Sequence, residues 1–217
     1  MTNDKAVLWD MDGVLVDTGP LHFETWKEAL GTIGVDISEP AFRSTFGMNN
    51  HGVLSTILGR PVDDAFVEDI AGRKERAFRS GIRGRVTLLP GVRAALEGLR
   101  QAGFRLAVAS SAPVENIDAL VDALEIRDLF DQLVSAAGMP SKPDPMVFLE
   151  AARRLGVPPA RCTVVEDAVV GVQAARAAGM RCIAVTTTNR REALGAASLV
   201  VDTLEGLPFS AFEPDAD

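Results

Sequence analysis

From about Gly84 to Val201, short apolar runs alternate with stretches whose apolar residues recur at helical spacing. The runs predict strands at 106–109, 132–135, 162–165, 182–185 and 199–201. The stretches between them predict helices at 92–101, 114–124, 145–155 and 169–178. Strands joined by crossovers of this length form a parallel sheet with helices on both faces. The helix at 145–155 is the best punctuated. Asp144 suits its cap, Pro145 its first turn, Arg153 and Arg154 its C-terminal end, and Gly156 its stop.

Residues from about 20 to 84 follow another pattern. Leu21-His22-Phe23-Glu24-Thr25-Trp26-Lys27-Glu28-Ala29-Leu30 has helical spacing, and further helical patterns follow at 52–58 and 62–78 with no strand run between them. This predicts a small α-helical subdomain inserted between the first strand and the rest of the sheet. Leu89-Pro90-Gly91, stiff and then permissive, suits a hinge at its exit. The closing residues, Phe212 to Asp217, are mainly polar and read as a frayed tail.

Composition narrows the function classes. A chain of 217 residues with 47% hydrophobic residues accommodates one large domain with a modest insertion and a substantial core. The net charge of −8, from 30 acidic and 22 basic residues, argues against a nucleic-acid groove as the main partner. No apolar stretch approaches ~20 residues, so no membrane span is expected. The beginning of the chain lacks a charged-then-apolar signal pattern, which makes a cytoplasmic location the expectation. Cys162 and Cys182 open two successive apolar runs and read as buried free thiols.

The candidate chemistry begins where the first apolar run, Ala6-Val7-Leu8-Trp9, stops on Asp10 and Asp12 with Gly13 behind them. In a continuing strand the two carboxylates would point the same way, an unfavourable pairing without a cation or a shared proton. A hard metal with oxygen ligands, Mg²⁺ by default, answers that need; a simple polar turn is the competing reading. Three later strand ends carry similar character. Ser110 and Ser111 offer hydroxyls and amides for a phosphate, or a helix cap. Lys142, before Pro143-Asp144-Pro145, can neutralise a phosphate or an aspartyl nucleophile, or lie solvated in a loop. Glu166 and Asp167 can complete a Mg²⁺ shell, one directly and one through water, unless Asp167 caps the next helix.

Taken in order, Asp10-Met11-Asp12-Gly13-Val14-Leu15-Val16-Asp17-Thr18, Ser110, Lys142-Pro143-Asp144-Pro145, and Glu166-Asp167 with Gly171 resemble the haloacid dehalogenase superfamily of aspartate-nucleophile phosphotransferases. The resemblance spans nearly the whole chain and is strongest to its β-phosphoglucomutase and sugar-phosphate phosphatase branch. It implies a Rossmann-like core of residues 1–16 and 86–217, a helical cap domain of residues 17–85, bound Mg²⁺ and an aspartyl-phosphate intermediate. It further implies Asp10 as nucleophile and Asp12 as acid and base. Mg²⁺ would be held by Asp10, the Asp12 carbonyl and Asp167 with Glu166, and the phosphoryl oxygens by Lys142, Ser110 and Ser111. A halide or phosphonate substrate would not call for an acid at Asp12, so a phosphate ester is implied.

The sugar mutases resembled here carry a cap arginine where this chain has Gly47-Met48-Asn49-Asn50-His51-Gly52. Asparagine supplies no charge for a second phosphate, which favours a phosphatase over a hexose-phosphate mutase. A binding protein retaining the fold without turnover is the remaining alternative. Asn50, His22 and Lys74 are the cap candidates for substrate contact; solvated or packed side chains are the alternative for the latter two. The partner expected is a small phosphorylated metabolite, the state expected a monomer.

Overall fold

The computed structural model describes residues 5–214. Its strands are β1 (Ala6–Trp9), β2 (Arg105–Ser110), β3 (Gln132–Ser135), β4 (Cys162–Glu166), β5 (Arg181–Val185) and β6 (Leu199–Val201). All neighbours pair in parallel, in the order β3-β2-β1-β4-β5-β6. The Rossmann-like α/β class expected from the alternation is therefore the fold observed.

β1 shows why its sequence is apolar throughout. Val7 and Trp9 enter one hydrophobic cluster with Leu106 and Val108, while Ala6 and Leu8 enter another with Ala107 and Ala109. A strand covered on both faces has no solvent side for polar residues to occupy. The first cluster is completed by α5 (Val92–Gln101) and α6 (Val114–Ala123), the second by α7 (Met146–Leu155) and α8 (Val169–Ala177).

Between β1 and α5 lie α1 (Gly19–Gly31), α2 (Glu39–Arg43), α3 (Asn50–Leu58) and α4 (Asp64–Gly81). They enclose their own cluster around Trp26, Leu30, Phe42, Leu54 and Ile70. α2 was not anticipated, because five residues are too few to display a helical period. Asn49 and Asp63 cap α3 and α4, accepting from Gly52 N and Phe66 N at 2.9 and 2.8 Å. The chain leaves and re-enters the sheet side by side: Val16 bridges Leu88, and Leu89 N donates to Leu15 O at 3.0 Å.

Several boundaries move. β2 and β4 extend to Ser110 and Glu166, so both residues end strands rather than follow them. α7 begins one residue later than expected, with Asp144 accepting from Met146 N at 2.9 Å and Gly156 closing it at φ +69°. The expectation of a frayed tail fails at its first residue. Phe212 is fully buried in a 3-10 turn, its ring 6.0 Å from that of Trp9. One aromatic ring outweighs its polar neighbours, because burying it removes a large apolar area from water. The last three residues of that tail, and residues 1–4 at the other end, lie outside the described part. Among the described residues no helix is long and apolar enough to cross a membrane. Both cysteines are free and buried, and burial pushes the Cys162 thiol up to about 12.

Candidate active site

β1 sits where the order of connection reverses, with β2 on one side and β4 on the other. The crevice beyond the carboxyl ends of such strands is where open α/β sheets place ligands. Asp10 continues β1 into it, its N–H donating to Val165 O at 3.0 Å. Lys142 arrives from the loop before α7 and is 2% exposed, which rules out the solvated loop lysine. Its ammonium donates to Asp10 Oδ1 and to Glu166 Oε1, each at 2.6 Å. The other Glu166 oxygen accepts from the N–H groups of Asp167 and Ala168, at 2.7 and 2.8 Å.

Two glycines make this packing possible. A Cβ on Gly171 would lie 1.8 Å from Glu166 Oε1, so α8 approaches the carboxylate only without one. Gly13 adopts φ +82°, and a Cβ there would lie 2.0 Å from Asp167 Oδ2. Asp167 does not cap α8; its carboxylate accepts from the Thr188 hydroxyl instead.

Oxygens of Asp10, Glu166 and Asp167 all lie within 4.8 Å of one another, and all three residues are buried. Burial pushes the Asp10 carboxyl up to about 7, with Lys142 opposing and Glu166 and Asp12 adding. Burial, then Glu166 and Asp10, likewise raise Asp167 well above the usual range. Ionised together, the three carboxyls would exceed the charge of the one ammonium, and an all-oxygen donor set of this kind fits a hard divalent cation such as Mg²⁺.

The Asp12 carboxylate is not part of this cluster, contrary to the expectation that it would share a cation with Asp10. The strand ends at Trp9, and Leu15 N and Val16 N fold back onto Met11 O at 2.9 and 3.3 Å. The period of two therefore does not carry through to residue 12. The Asp12 backbone carbonyl is left as the group it can offer a metal. Its side chain turns toward the inserted helices, where Oδ1 accepts from the Thr18 hydroxyl and lies 3.2 Å from His22 Nε2. Burial works against charge on Asp12, but His22, Thr18 and Lys74 together hold its carboxyl below the usual range.

His22 stacks on Phe78 with ring centroids 4.0 Å apart, and its Nδ1 lies 2.7 Å from Lys74 Nζ. Lys74 is 2% exposed and donates to both oxygens of Glu75 at 3.0 Å, so it is no solvated helix lysine. Ser110 is buried, its Oγ accepting from Ala112 N at 3.1 Å. The Ser111 hydroxyl donates to Gly47 O at 2.7 Å; it joins the sheet to the inserted helices, leaving its backbone as the group available to a phosphate. Asn50 lines the cavity above Asp10, Asp12 and Ser110, together with Trp26, Phe42 and Lys74. Asn49 instead caps α3 and donates to Met139 O at 3.0 Å.

The sequence reading missed Thr188, Glu75 and Asn116, and gave Thr18 no role. Thr18 ended the quoted motif and Glu75 adjoined Lys74, so both had a signal. Nothing in the order of residues marks Thr188 or Asn116.

Fold and site together define an α/β enzyme with an aspartate-led, oxygen-lined cluster at the switch point of a parallel sheet. The chain belongs to the haloacid dehalogenase-like hydrolases, whose family model matches residues 5–179. It is 34% identical over 183 residues to Hexitol phosphatase B of Escherichia coli (strain K12), covering 83% of this chain and 82% of that protein. Among solved structures it superposes on CbbY from Rhodobacter sphaeroides in complex with xylulose-(1,5)bisphosphate, with a TM-score of 0.86 and 28% identity, covering 96% of this chain and 99% of that one. β-Phosphoglucomutase from Clostridium difficile matches with a TM-score of 0.86 and 28% identity over 95% of this chain and 94% of that one. The relatives thus include both phosphatases and mutases of phosphorylated sugars.

Proposed function

We propose that the protein is a Mg²⁺-dependent phosphatase acting on a small phosphomonoester, a sugar phosphate, through an aspartyl phosphate on Asp10. The observation that carries the phosphatase reading is the cavity above Asp10. No arginine is among the described residues that line it, and its lysine, Lys74, is already paired with Glu75. A mutase must grip a second phosphate there, and neither Asn50 nor the aromatic surface of Trp26 and Phe42 supplies the charge. The similarity to a β-phosphoglucomutase keeps the isomerase as the second reading.

In the proposed reaction the Asp10 carboxylate attacks phosphorus in line, and the bond to the ester oxygen breaks. Asp12 gives its proton to the departing alkoxide. The negative charge of a bound phosphoryl group favours that protonated form, against His22 and Lys74. Asp12 then takes a proton from the water that attacks phosphorus, the acyl phosphate breaks, and inorganic phosphate leaves. Lys142, Ser110 and nearby amides hold phosphoryl oxygens through both steps, and Glu166 fixes Lys142. Bound Mg²⁺, held by Asp10, the Asp12 carbonyl and Asp167 with Glu166, supplies charge compensation for the transferring group. Residues 17–85 act as a cap over the core of residues 1–16 and 86–217, excluding bulk water.

The test is phosphate release with Mg²⁺ across a panel of sugar phosphates. The panel includes β-glucose 1-phosphate, followed in parallel for glucose 6-phosphate with catalytic bisphosphate present. Free phosphate from one or a few esters, lost in Asp10→Asn, is the expected result. Isomer formation without phosphate loss would replace the phosphatase reading with the mutase.

A further inference from the structure

Asp12 is linked through the inserted helices to α6 of the core. The route runs from Asp12 Oδ1 to His22 Nε2 at 3.2 Å, and from His22 Nδ1 to Lys74 Nζ at 2.7 Å. Lys74 donates to Glu75, and the Asn116 amide N–H donates to Glu75 Oε2 at 2.5 Å. Arg79 Nη1 closes the route by donating to Asn116 Oδ1 at 2.9 Å. Asn116 belongs to α6, the helix that follows β2 and Ser110, and is fully buried. Lys74, Glu75 and Arg79 belong to α4.

One assignment of protons satisfies the whole route. An ammonium has donors and no acceptor, so Lys74 donates to His22 Nδ1. The ring proton then sits on Nε2 and is given to Asp12. Glu75 is acceptor only, and it holds Lys74 against His22 while Asn116 holds Glu75. Arg79 fixes which end of the Asn116 amide faces Glu75, because a guanidinium needs the amide oxygen. The direction of each link thus follows from the one before it, and the last two links exist only while α4 rests against α6.

We propose that Asn116 and Arg79 are positioning residues: through Glu75 and Lys74 they set the His22 ring, and with it the orientation of the Asp12 carboxyl toward the leaving oxygen. This rests on the phosphatase reading above. Neither residue lines the cavity. Their effect is specific to proton delivery, unlike that of a residue supporting the fold alone.

The experiment compares Asn116→Ala and Arg79→Gln with wild type in kcat/KM for two probes, p-nitrophenyl phosphate and a hexose phosphate that wild type hydrolyses. A nitrophenolate leaves without an acid, whereas a sugar alkoxide needs one. Because kcat/KM ends at leaving-group departure, the later deprotonation of water does not enter. The hexose phosphate value is expected to fall on the order of tenfold, with the aryl phosphate value changing by less than about threefold. Arg79→Lys is expected to recover part of the loss. Arg79 is half-buried, so its variants remain informative if Asn116→Ala does not fold. Equal losses on both probes, or no loss on either, would overturn the proposal. Wild type inactive on every phosphate ester would overturn the phosphatase reading itself, before any variant is compared.

Discussion

Lys142 Nζ donates to Asp10 Oδ1 at 2.6 Å across a sequence separation of 132, and the lysine side chain has no solvent contact. The same ammonium holds Glu166, so a single cation serves two carboxylates that would otherwise repel within a dry site.

That arrangement makes Lys142 a stability residue as well as a phosphate ligand. Lys142→Met removes the charge while keeping much of the volume, and leaves Asp10 and Glu166 facing each other unpaired. Denaturant unfolding of the metal-free protein is expected to show a loss of about 3–5 kcal/mol, with turnover abolished. A loss below about 1 kcal/mol would mean that the pairing is not what balances the two acids.

Metal binding is open to a readout independent of turnover. At a hundredfold excess over Kd, Mg²⁺ is expected to stabilise the fold by about 2.7 kcal/mol, a rise in Tm of about 5–10 °C that chelation reverses. Asp167→Asn is expected to lose most of that rise while folding normally. An undiminished rise in the variant would place the ion elsewhere.

Glu75 predicts a pH dependence with a definite sign. Burial pushes its carboxyl up, but Lys74, His22 and Asn116 outweigh burial and hold it below the usual range. A depressed value contributes stability above the unfolded value of about 4.3, and that contribution is lost as pH falls through the folded value. Glu75→Gln is therefore expected to be less stable than wild type at pH 7 by about 1–3 kcal/mol, with the gap narrowing below a pH of about 4. Denaturation curves at a series of pH values measure it. A constant gap would contradict the assignment.

Phe212 tests the end of the chain. Its fully buried ring packs near Trp9, the last residue of the central strand, so Phe212→Ala is expected to cost about 3–5 kcal/mol in urea unfolding. A neutral substitution would restore the view of these residues as a loose tail.

The sheet was legible because strands buried on both faces must be largely apolar, and the described strands met that condition apart from polar residues at their ends and the buried Thr163 inside β4. The positions of Asp10, Ser110, Lys142 and Glu166 followed from it, since each lies at or just beyond a strand end or begins the helix approach. The direction of the Asp12 side chain was not legible. It depends on the turn after Trp9, where local backbone bonds override strand alternation. Asn116 was equally hidden: on α6 it reads as one polar residue among several, and its role arises only from α4 packed beside it. The Ser111 hydroxyl was read toward phosphate, but Gly47, distant in sequence, supplies its acceptor.

The most direct measurement is the intact mass of the enzyme after acid quenching during turnover of a hexose phosphate with Mg²⁺. The account predicts a transient species heavier by one phosphoryl group, labile to hydroxylamine as an acyl phosphate is, and missing in Asp10→Asn. Steady release of phosphate by an Asp10→Asn variant as active as wild type, with no such species in either protein, would contradict it.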